Sequence, residues 1–142
     1  LSQPLLINWV DPFGATSSTL LFNYNDINED KILFVHEGVT DVFRTILNGH
    51  QAVAIFTNKI SEYQAMLLSK KKVKEICLML DSDVSAAIKM KNLNSLKEYC
   101  DVPVSLVELK DGDPDDIKDN ISFNKIVNNR TLLPKMSIDK LL

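Results

Sequence analysis

The chain has 142 residues, 45% of them hydrophobic and 25% charged, and its net charge at pH 7 is −3. This profile is typical of one compact soluble domain, and folding at this length buries roughly 68% of the unfolded surface, so stability requires neither disulfides nor a structural metal. The longest apolar runs, such as 76–80, are far shorter than the ~20 residues of a membrane span, which excludes a membrane protein. The acidic balance argues against a domain that holds nucleic acid by a basic surface alone.

The cysteines and the first residue indicate the setting of the protein. Cys77 and Cys100 do not form a C-x-x-C pair and are too few for a zinc site, so we expect a reducing, cytoplasmic environment. The chain opens on Leu1 with no initiator methionine, basic segment or small-residue cleavage site, and we interpret this start as a cut in a larger protein.

Residues 1–30 form an irregular N-terminal segment. The sequence predicts a short strand at 8–10 and a turn at Asp11–Gly14, followed by an approach to the main fold through 20–24. Regular patterning begins at Lys31.

From that point strands alternate with helices. Helical spacing predicts one helix capped at Thr40 or Asp41, a second that opens with the capping box Ser61–Gln64, and a third from about 85 to 99. One or two short C-terminal helices are expected, broken near Leu133–Pro134. Apolar runs predict four strands, at 31–36, 52–56, 73–80 and 102–109. The alternation predicts an α/β fold, with about four mainly parallel strands and helices on both faces of the sheet.

Acidic residues follow three of the predicted strands. Glu37 ends the first strand, Asp81 and Asp83 follow the third, and Asp113 and Asp115 follow the fourth. The carboxyl ends of parallel strands meet at one edge of the sheet, where ligands bind. Residues two apart in an extended segment point the same way, so the D-x-D pair can face a common point. These carboxylates are therefore expected to converge.

Converging carboxylates need cations among them. Two unit charges ~4 Å apart repel by about 4 kcal/mol at an effective dielectric constant of ~20. Oxygen ligands without His or Cys favour Mg²⁺ or Mn²⁺ over zinc, and such ions orient phosphates during phosphoryl or nucleotidyl transfer. A lone D-x-D is more often a helix cap or a solvated turn. The three acidic strand ends together favour a metal site.

Three segments resemble the signature blocks of the Toprim domain that DNA primases and topoisomerases share: VHEGVTDV at 35–42, MLDSD at 79–83 and LKDGDPDD at 109–116. Their order and spacing agree with that family. The segment LFNY at 21–24, the Asp-Pro-Asp core at 113–115 and Leu133–Pro134 are similar to DnaG-like primases of the bacterial and phage type. The resemblance divides the chain into the tail of a preceding subdomain (1–30), a Toprim catalytic domain (31–120) and a C-terminal helical extension (121–142).

The resemblance implies a catalytic domain that starts RNA primers on single-stranded DNA from ribonucleoside triphosphates. Glu37 would be the essential acid, with Asp81 and Asp83 as further catalytic residues that hold Mg²⁺ or Mn²⁺. Asp113 and Asp115 would complete the metal set, with Asp41 as an outer ligand. A basic template-binding surface and a zinc module would lie before residue 1, and a helicase-binding region or a fused helicase would lie after residue 142.

The sequence departs from the family pattern at two places. Val84–Ala87 stands where a glycine is usual after D-x-D, and Phe56–Thr57 replaces the usual Gly-Thr after the second strand. Both departures concern the approach of the backbone to a phosphate, and they indicate a divergent member of the kind that a phage encodes.

Other interpretations stay open at this level. The same acids serve phosphodiester cleavage in Toprim nucleases and topoisomerases, and a non-catalytic Toprim-like assembly module is a third interpretation. Arg44 and Lys72 are candidate contacts for nucleic acid. A solvated helix end is the alternative for Lys72, since Lys suits a helix C-terminus electrostatically.

Overall fold

The computed structural model describes residues 17–134. The predicted strand at 8–10, the turn at Asp11–Gly14 and any helix after Pro134 lie outside these residues. None of the helices within 17–134 has the length and apolarity that a membrane span needs.

Five strands form one sheet in the order β2-β1-β3-β4-β5. The first four strands run parallel, and β5 pairs with β4 in the antiparallel direction. This arrangement confirms the predicted α/β fold with a mainly parallel sheet. The strands are β1 (Ile32–His36), β2 (Gln51–Ala54), β3 (Glu75–Met79), β4 (Val104–Val107) and β5 (Thr131–Leu132), and the helices are α1 (Val39–Leu47), α2 (Glu62–Ser69), α3 (Ala86–Tyr99) and α4 (Asn120–Asn128).

Helices cover both faces of the sheet, as predicted. Because side chains alternate along a strand, Leu33 and Val35 of β1 enter one core while Phe34 enters the other. The first core lies under α2 and α3, and the second lies under α1 and α4. The central strands β1 and β3 are apolar on both sides for this reason.

The sheet has one more strand than the four that we expected. β5 occupies a region that was predicted to be helical, and it extends the sheet at the β4 edge. Pro134 disfavours a helical conformation for Leu133, the residue before it. The Leu133 backbone N–H instead donates to the Val104 carbonyl at 2.9 Å, which continues the pairing.

The start of α1 also differs from the prediction. The helix begins at Val39 with Gly38 as its N-cap, whereas a cap at Thr40 or Asp41 was expected. Asp41 occupies the third helical position, from which a carboxylate reaches back to the N-cap backbone, and a hydrogen bond with the Gly38 backbone is among its interactions. The capping box at Ser61 and Gln64 is confirmed at the start of α2.

The segments at either end of the described residues pack on the same sheet. Phe22 bridges to Ala54 at the outer edge of β2, and Phe123 of α4 is fully buried in the core that contains Phe34. The division at residues 30 and 120 stays a prediction.

Candidate metal centre

The acidic residues lie at the point where the strand order reverses. The chain goes from β1 outward to β2 and then returns past β1 to β3, so β1 and β3 are neighbours whose connections leave in opposite directions. Ligands of open α/β sheets bind beyond the carboxyl ends of the strands at such a switch point. Glu37 follows β1, Asp81 and Asp83 follow β3, and Asp113 follows β4.

Five of the six predicted metal ligands converge there. Glu37, Asp81 and Asp83 each offer a carboxylate oxygen, and these three oxygens lie within 4.8 Å of one another. Asp41, Asp81 and Asp113 form a second such group, also within 4.8 Å. Asp81 belongs to both groups and is the centre of the arrangement.

Asp81 holds its carboxylate in an unfavourable environment. Its Oδ1 is buried and has no hydrogen-bond partner among the described residues, while its backbone N–H donates to Glu37 Oε1 at 3.3 Å. Burial raises the pKa of Asp81 to about 7, and repulsion from Glu37, Asp41, Asp113 and Asp83 acts in the same direction. A cation among these oxygens would relieve both effects.

Asp41 is the most buried acid of the centre, with 3% of its surface exposed. Burial raises its pKa to about 6, although hydrogen bonds from the backbone amides of Asp115 and Gly38 oppose the shift. The Asp115 N–H donates to Asp41 Oδ1 at 3.0 Å. Asp41 therefore both contributes to the acidic group and holds the loop after β4.

The loop after β4 is built to bring Asp113 to the centre. The Ser82 N–H donates to the Gly112 carbonyl at 2.8 Å, which joins the loops that follow β3 and β4. Asp113 and Asp116 form a reciprocal capping box around a 3-10 turn at Pro114–Asp116. Between the two loops lies a cleft of about 250 Å³, lined by Asp81, Ser82, Asp83, Gly112, Asp113 and Asp116.

The donor set fits a hard divalent cation. The converging groups offer carboxylate oxygens only, which suits Mg²⁺ or Mn²⁺. The D-x-D acids are not the cap of α3, because Ser85 is its N-cap and accepts from the Ile88 N–H at 3.2 Å. The alternative of a simple helix cap is therefore wrong for Asp81 and Asp83.

His36 lies directly before Glu37 and holds the strand ends together beneath the acidic centre, but it is not one of the converging ligands. Its Nδ1 lies 2.9 Å from the Met79 carbonyl, and its Nε2 lies 2.6 Å from Thr45 Oγ1. Since a carbonyl only accepts, Nδ1 carries the proton and Nε2 accepts from the threonine hydroxyl. Burial lowers the pKa of His36 to about 4, although the Met79 bond opposes this, so the ring is neutral. The imidazole joins β1, β3 and α1 directly before Glu37.

Phe56 keeps a backbone conformation that favours glycine. Its φ is +70°, in the left-handed region, and its N–H donates to the Glu37 carbonyl at 2.8 Å. The aromatic ring packs half-buried against the core under α1. The backbone geometry at this departure from the family pattern is thus of the kind that glycine adopts most easily.

The remaining predicted residues lie apart from the converging oxygens. The Arg44 Nε lies 3.3 Å from Asp115 Oδ1, so these two side chains form an ion pair. Lys72 is exposed and precedes β3, at the opposite edge of the sheet from Asp81. Its backbone N–H donates to Glu29 Oε2 at 2.8 Å.

Two residues that support the centre, Gly112 and Asp116, were not singled out from the sequence. Gly112 has a φ of +68°, and a Cβ there would come within 2.3 Å of Asp116 Oδ2. The spacing of Asp113 and Asp116, three residues apart with proline directly after the first, is the signal for a capping box. From the sequence, this segment was predicted to supply the ligands Asp113 and Asp115, and no capping box was predicted in it.

Sequence comparison finds no relatives: no family model matches the chain, and no curated protein does. Solved structures, by contrast, are similar to it. The Aquifex aeolicus primase (zinc-binding and RNA polymerase domains) matches with a TM-score of 0.70 and 24% identity, over 87% of this chain and 33% of its own. A DnaG primase catalytic domain bound to ssDNA matches with a TM-score of 0.68 and 19% identity, over 83% of this chain and 41% of its own.

The chain has the fold of a DnaG primase catalytic core. The predicted Toprim-like fold is thereby confirmed. The primase fragment of the bacteriophage T7 primase-helicase protein shares the DnaG-like fold, with a TM-score of 0.60 and 16% identity over 78% of this chain and 48% of its own. The chain spans less than half the length of each of these primase structures.

Proposed function

We propose that this chain is the metal-binding catalytic subdomain of a DNA primase, which synthesises RNA primers on single-stranded DNA from ribonucleoside triphosphates. One observation carries the proposal. Asp81 has a buried carboxylate oxygen without a hydrogen-bond partner among residues 17–134, and it offers an oxygen within 4.8 Å of both Glu37 and Asp113, at the switch point of a DnaG-like fold. A folded protein keeps such a group where an outside cation completes it.

The proposed ligands of Mg²⁺ or Mn²⁺ are the five acids of the two groups, namely Glu37, Asp41, Asp81, Asp83 and Asp113. When bound, the metal supplies charge neutralisation and orientation of phosphate oxygens. Glu37 accepts a hydrogen bond from the Asp81 N–H, which orients its carboxylate toward the loop after β3. Glu37, Asp81 and Asp83 are the proposed catalytic residues.

The proposed partners are a single-stranded DNA template, ribonucleoside triphosphates and a replicative helicase. A template is supported by the similar DnaG catalytic domain that is bound to ssDNA, and a helicase by the similar fragment of a primase-helicase protein. The chain's net charge of −3 leaves template binding to a basic surface outside it.

Primer synthesis by the whole primase tests this function. We expect Glu37→Gln and Asp81→Asn to abolish ribonucleotide incorporation on single-stranded DNA with Mn²⁺, because each removes a charge from the metal set. Asp30→Asn is the matched control, since Asp30 is exposed and lies at the amino edge of the sheet. Full incorporation by both site variants would disprove the assignment, and metal-dependent cleavage of DNA in its place would support the nuclease interpretation.

Metal binding by the chain itself separates the catalytic interpretation from an assembly module. We expect Mn²⁺ to broaden nuclear magnetic resonance signals around residues 81–83 and 112–113, and Asp83→Asn to weaken this effect. Glu108→Gln, an exposed acid outside the two groups, serves as the control. Broadening that is identical in all three proteins would favour a non-catalytic module.

A further inference from the structure

Asp115 stands apart from the other predicted metal ligands because its neighbours are cations. Its Oδ1 lies 3.3 Å from Arg44 Nε and 3.5 Å from Lys118 Nζ. It is the only predicted ligand that belongs to neither group of converging carboxylate oxygens within residues 17–134. A carboxylate oxygen that already faces two cations is a poor ligand for a third.

The backbone of Asp115 is held by the same helix as its side chain. The Asp115 N–H donates to Asp41 Oδ1 at 3.0 Å, while the side chain pairs with Arg44. Asp41 and Arg44 are three residues apart on α1 and therefore lie on one face of the helix. Two contacts from α1 thus hold Asp115 in place, one at its backbone and one at its side chain.

These contacts determine where Asp113 lies. On one side of Asp113, the Gly112 carbonyl accepts from the Ser82 N–H at 2.8 Å. On the other side, Asp115 is tied to α1. Asp113 is therefore held between two anchored residues, and its carboxylate is placed beside Asp81.

We propose that Arg44 and Asp115 are positioning residues, an inference that rests on the metal centre of the proposed function. Their ion pair ties the 3-10 turn to α1 and so keeps Asp113 in the metal set, and Asp115 is not itself a ligand. Arg44 then acts inside the protein and not on nucleic acid, which was the role predicted for it from the sequence.

The Mn²⁺ affinity of Arg44→Gln tests the proposal by its sign. If Asp115 is a ligand, removing the competing cation tightens binding in Arg44→Gln, while Asp115→Asn weakens it. If the pair positions the loop, both variants weaken binding by about tenfold, the scale of residues that orient a metal ligand. The double variant Arg44→Gln/Asp115→Asn then binds Mn²⁺ no more weakly than either single variant, because both changes break the same ion pair. Free Mn²⁺ is measured by electron paramagnetic resonance in a titration of the chain.

Lys118→Gln is the matched control. This variant removes one positive charge beside the same Asp115 oxygen, as Arg44→Gln does. Lys118 is 63% exposed and follows Asp115 in the same loop, so its ion pair does not tie the turn to α1. We expect its Mn²⁺ affinity to stay within about twofold of the wild type, as for an exposed ion pair. Rescue of binding in Arg44→Lys would confirm that the cation is what matters. Equal weakening in Lys118→Gln and Arg44→Gln would overturn the proposal in favour of a general charge effect.

A measurement without metal separates this proposal from the proposed function. Hydrogen exchange of the Asp115 amide is expected to quicken by about threefold to fivefold in Arg44→Gln, because the turn opens more often. Unchanged exchange would overturn the positioning role even if the wild type binds Mn²⁺. If the wild type binds no Mn²⁺ but Arg44→Gln still shows the faster exchange, the metal centre is disproved while the ion pair's role in holding the turn stays intact.

Discussion

β3 has a carboxylate near each of its ends, and within residues 17–134 only the one at the amino end is paired with a cation. Glu75, at the amino end, receives Arg130 Nε at 2.5 Å, Arg130 Nη2 at 3.0 Å and the Ser105 hydroxyl at 2.5 Å. Burial acts to raise the pKa of Glu75, but these hydrogen bonds outweigh it and the pKa lies below its usual value. Asp81, at the carboxyl end, is surrounded by four other acids, and its pKa is raised to about 7.

The protein supplies a cationic side chain for Glu75 but none for Asp81 within residues 17–134. Arg130 follows α4 and pairs with Glu75 of β3, so this contact joins the segment after α4 to the central strand. No cation within residues 17–134 forms an ion pair with Asp81. The carboxylate at the amino end is thus paired within the fold, whereas the one at the carboxyl end has no cation beside it, as the proposed metal site requires.

The largest expected effect is at the amino end. Arg130→Met leaves the Glu75 carboxylate buried without its cation, and we expect the free energy of unfolding to fall by about 3 kcal/mol. Urea denaturation monitored by circular dichroism measures the loss. Adding Glu75→Gln to this variant removes the unpaired charge and should recover part of the stability. A loss below about 0.5 kcal/mol, as for an exposed pair, would contradict the contrast between the two ends.

At the carboxyl end the sign is reversed. Because the pKa of Asp81 is raised in the folded state, its protonated form stabilises the fold, and this contribution is lost as the pH rises from about 4 through about 7. With a chelator present, we expect Asp81→Asn to be more stable than the wild type by about 1 to 2 kcal/mol at pH 8. The raised pKa corresponds to more than this, but solvent screens a partly exposed group.

Unfolding curves of both proteins at several pH values check the effect. The difference between them should shrink toward zero as the pH falls to about 3, where Asp81 is protonated in the folded state and largely so in the unfolded state. The contribution of His36 to the acid end of the curve is common to both proteins and cancels. A difference that does not change with pH would show that Asp81 is not under electrostatic strain.

The smallest expected effect is the difference in stability between alanine variants of two glycines at opposite edges of the sheet. Gly49 has a φ of +86°, and nothing lies within 4 Å of the position that a Cβ would take there. Gly112 has a φ of +68°, and its Cβ position lies 2.3 Å from Asp116 Oδ2. We expect Gly49→Ala to cost about 1 kcal/mol from backbone strain alone, and Gly112→Ala to cost about 1 kcal/mol more because the capping box must move.

Thermal denaturation measures both glycine variants. Only Gly112→Ala should also weaken Mn²⁺ binding, because its loop carries Asp113. Equal losses of stability with no change in Mn²⁺ binding would mean that the capping box does not position the acid.

Much of the fold and of the acidic edge could be predicted from local patterns. The apolar runs of β1 and β3 are long enough to identify buried parallel strands, and parallel strands bring their carboxyl ends together whatever the details. For this reason Glu37 and Asp81 could be placed at one edge. The capping box of α2 was also visible, since Ser61 and Gln64 have the required spacing.

Features that depend on partners distant in sequence could not be predicted in this way. β5 is only two residues long, and it is a strand because β4 lies beside it. The pairing of Asp115 with Arg44 joins residues 71 positions apart, and no local pattern indicates it. The family resemblance gave Asp115 the same role as Asp113, whereas the fold gives the two acids different neighbours.

The buried ring of His36 offers a way to observe the strand ends beneath the acidic centre. Its Nδ1 proton is fully buried and donates to the Met79 carbonyl at the end of β3, while Nε2 accepts from Thr45 of α1, so this proton reaches water when the packing of β1, β3 and α1 opens. The lifetime of that proton, followed by nuclear magnetic resonance, therefore reports openings of this packing and not movements of the surface loops. The exchange lifetime of this one proton thus distinguishes opening of the protein core from rearrangement of the acidic side chains at the edge of the sheet.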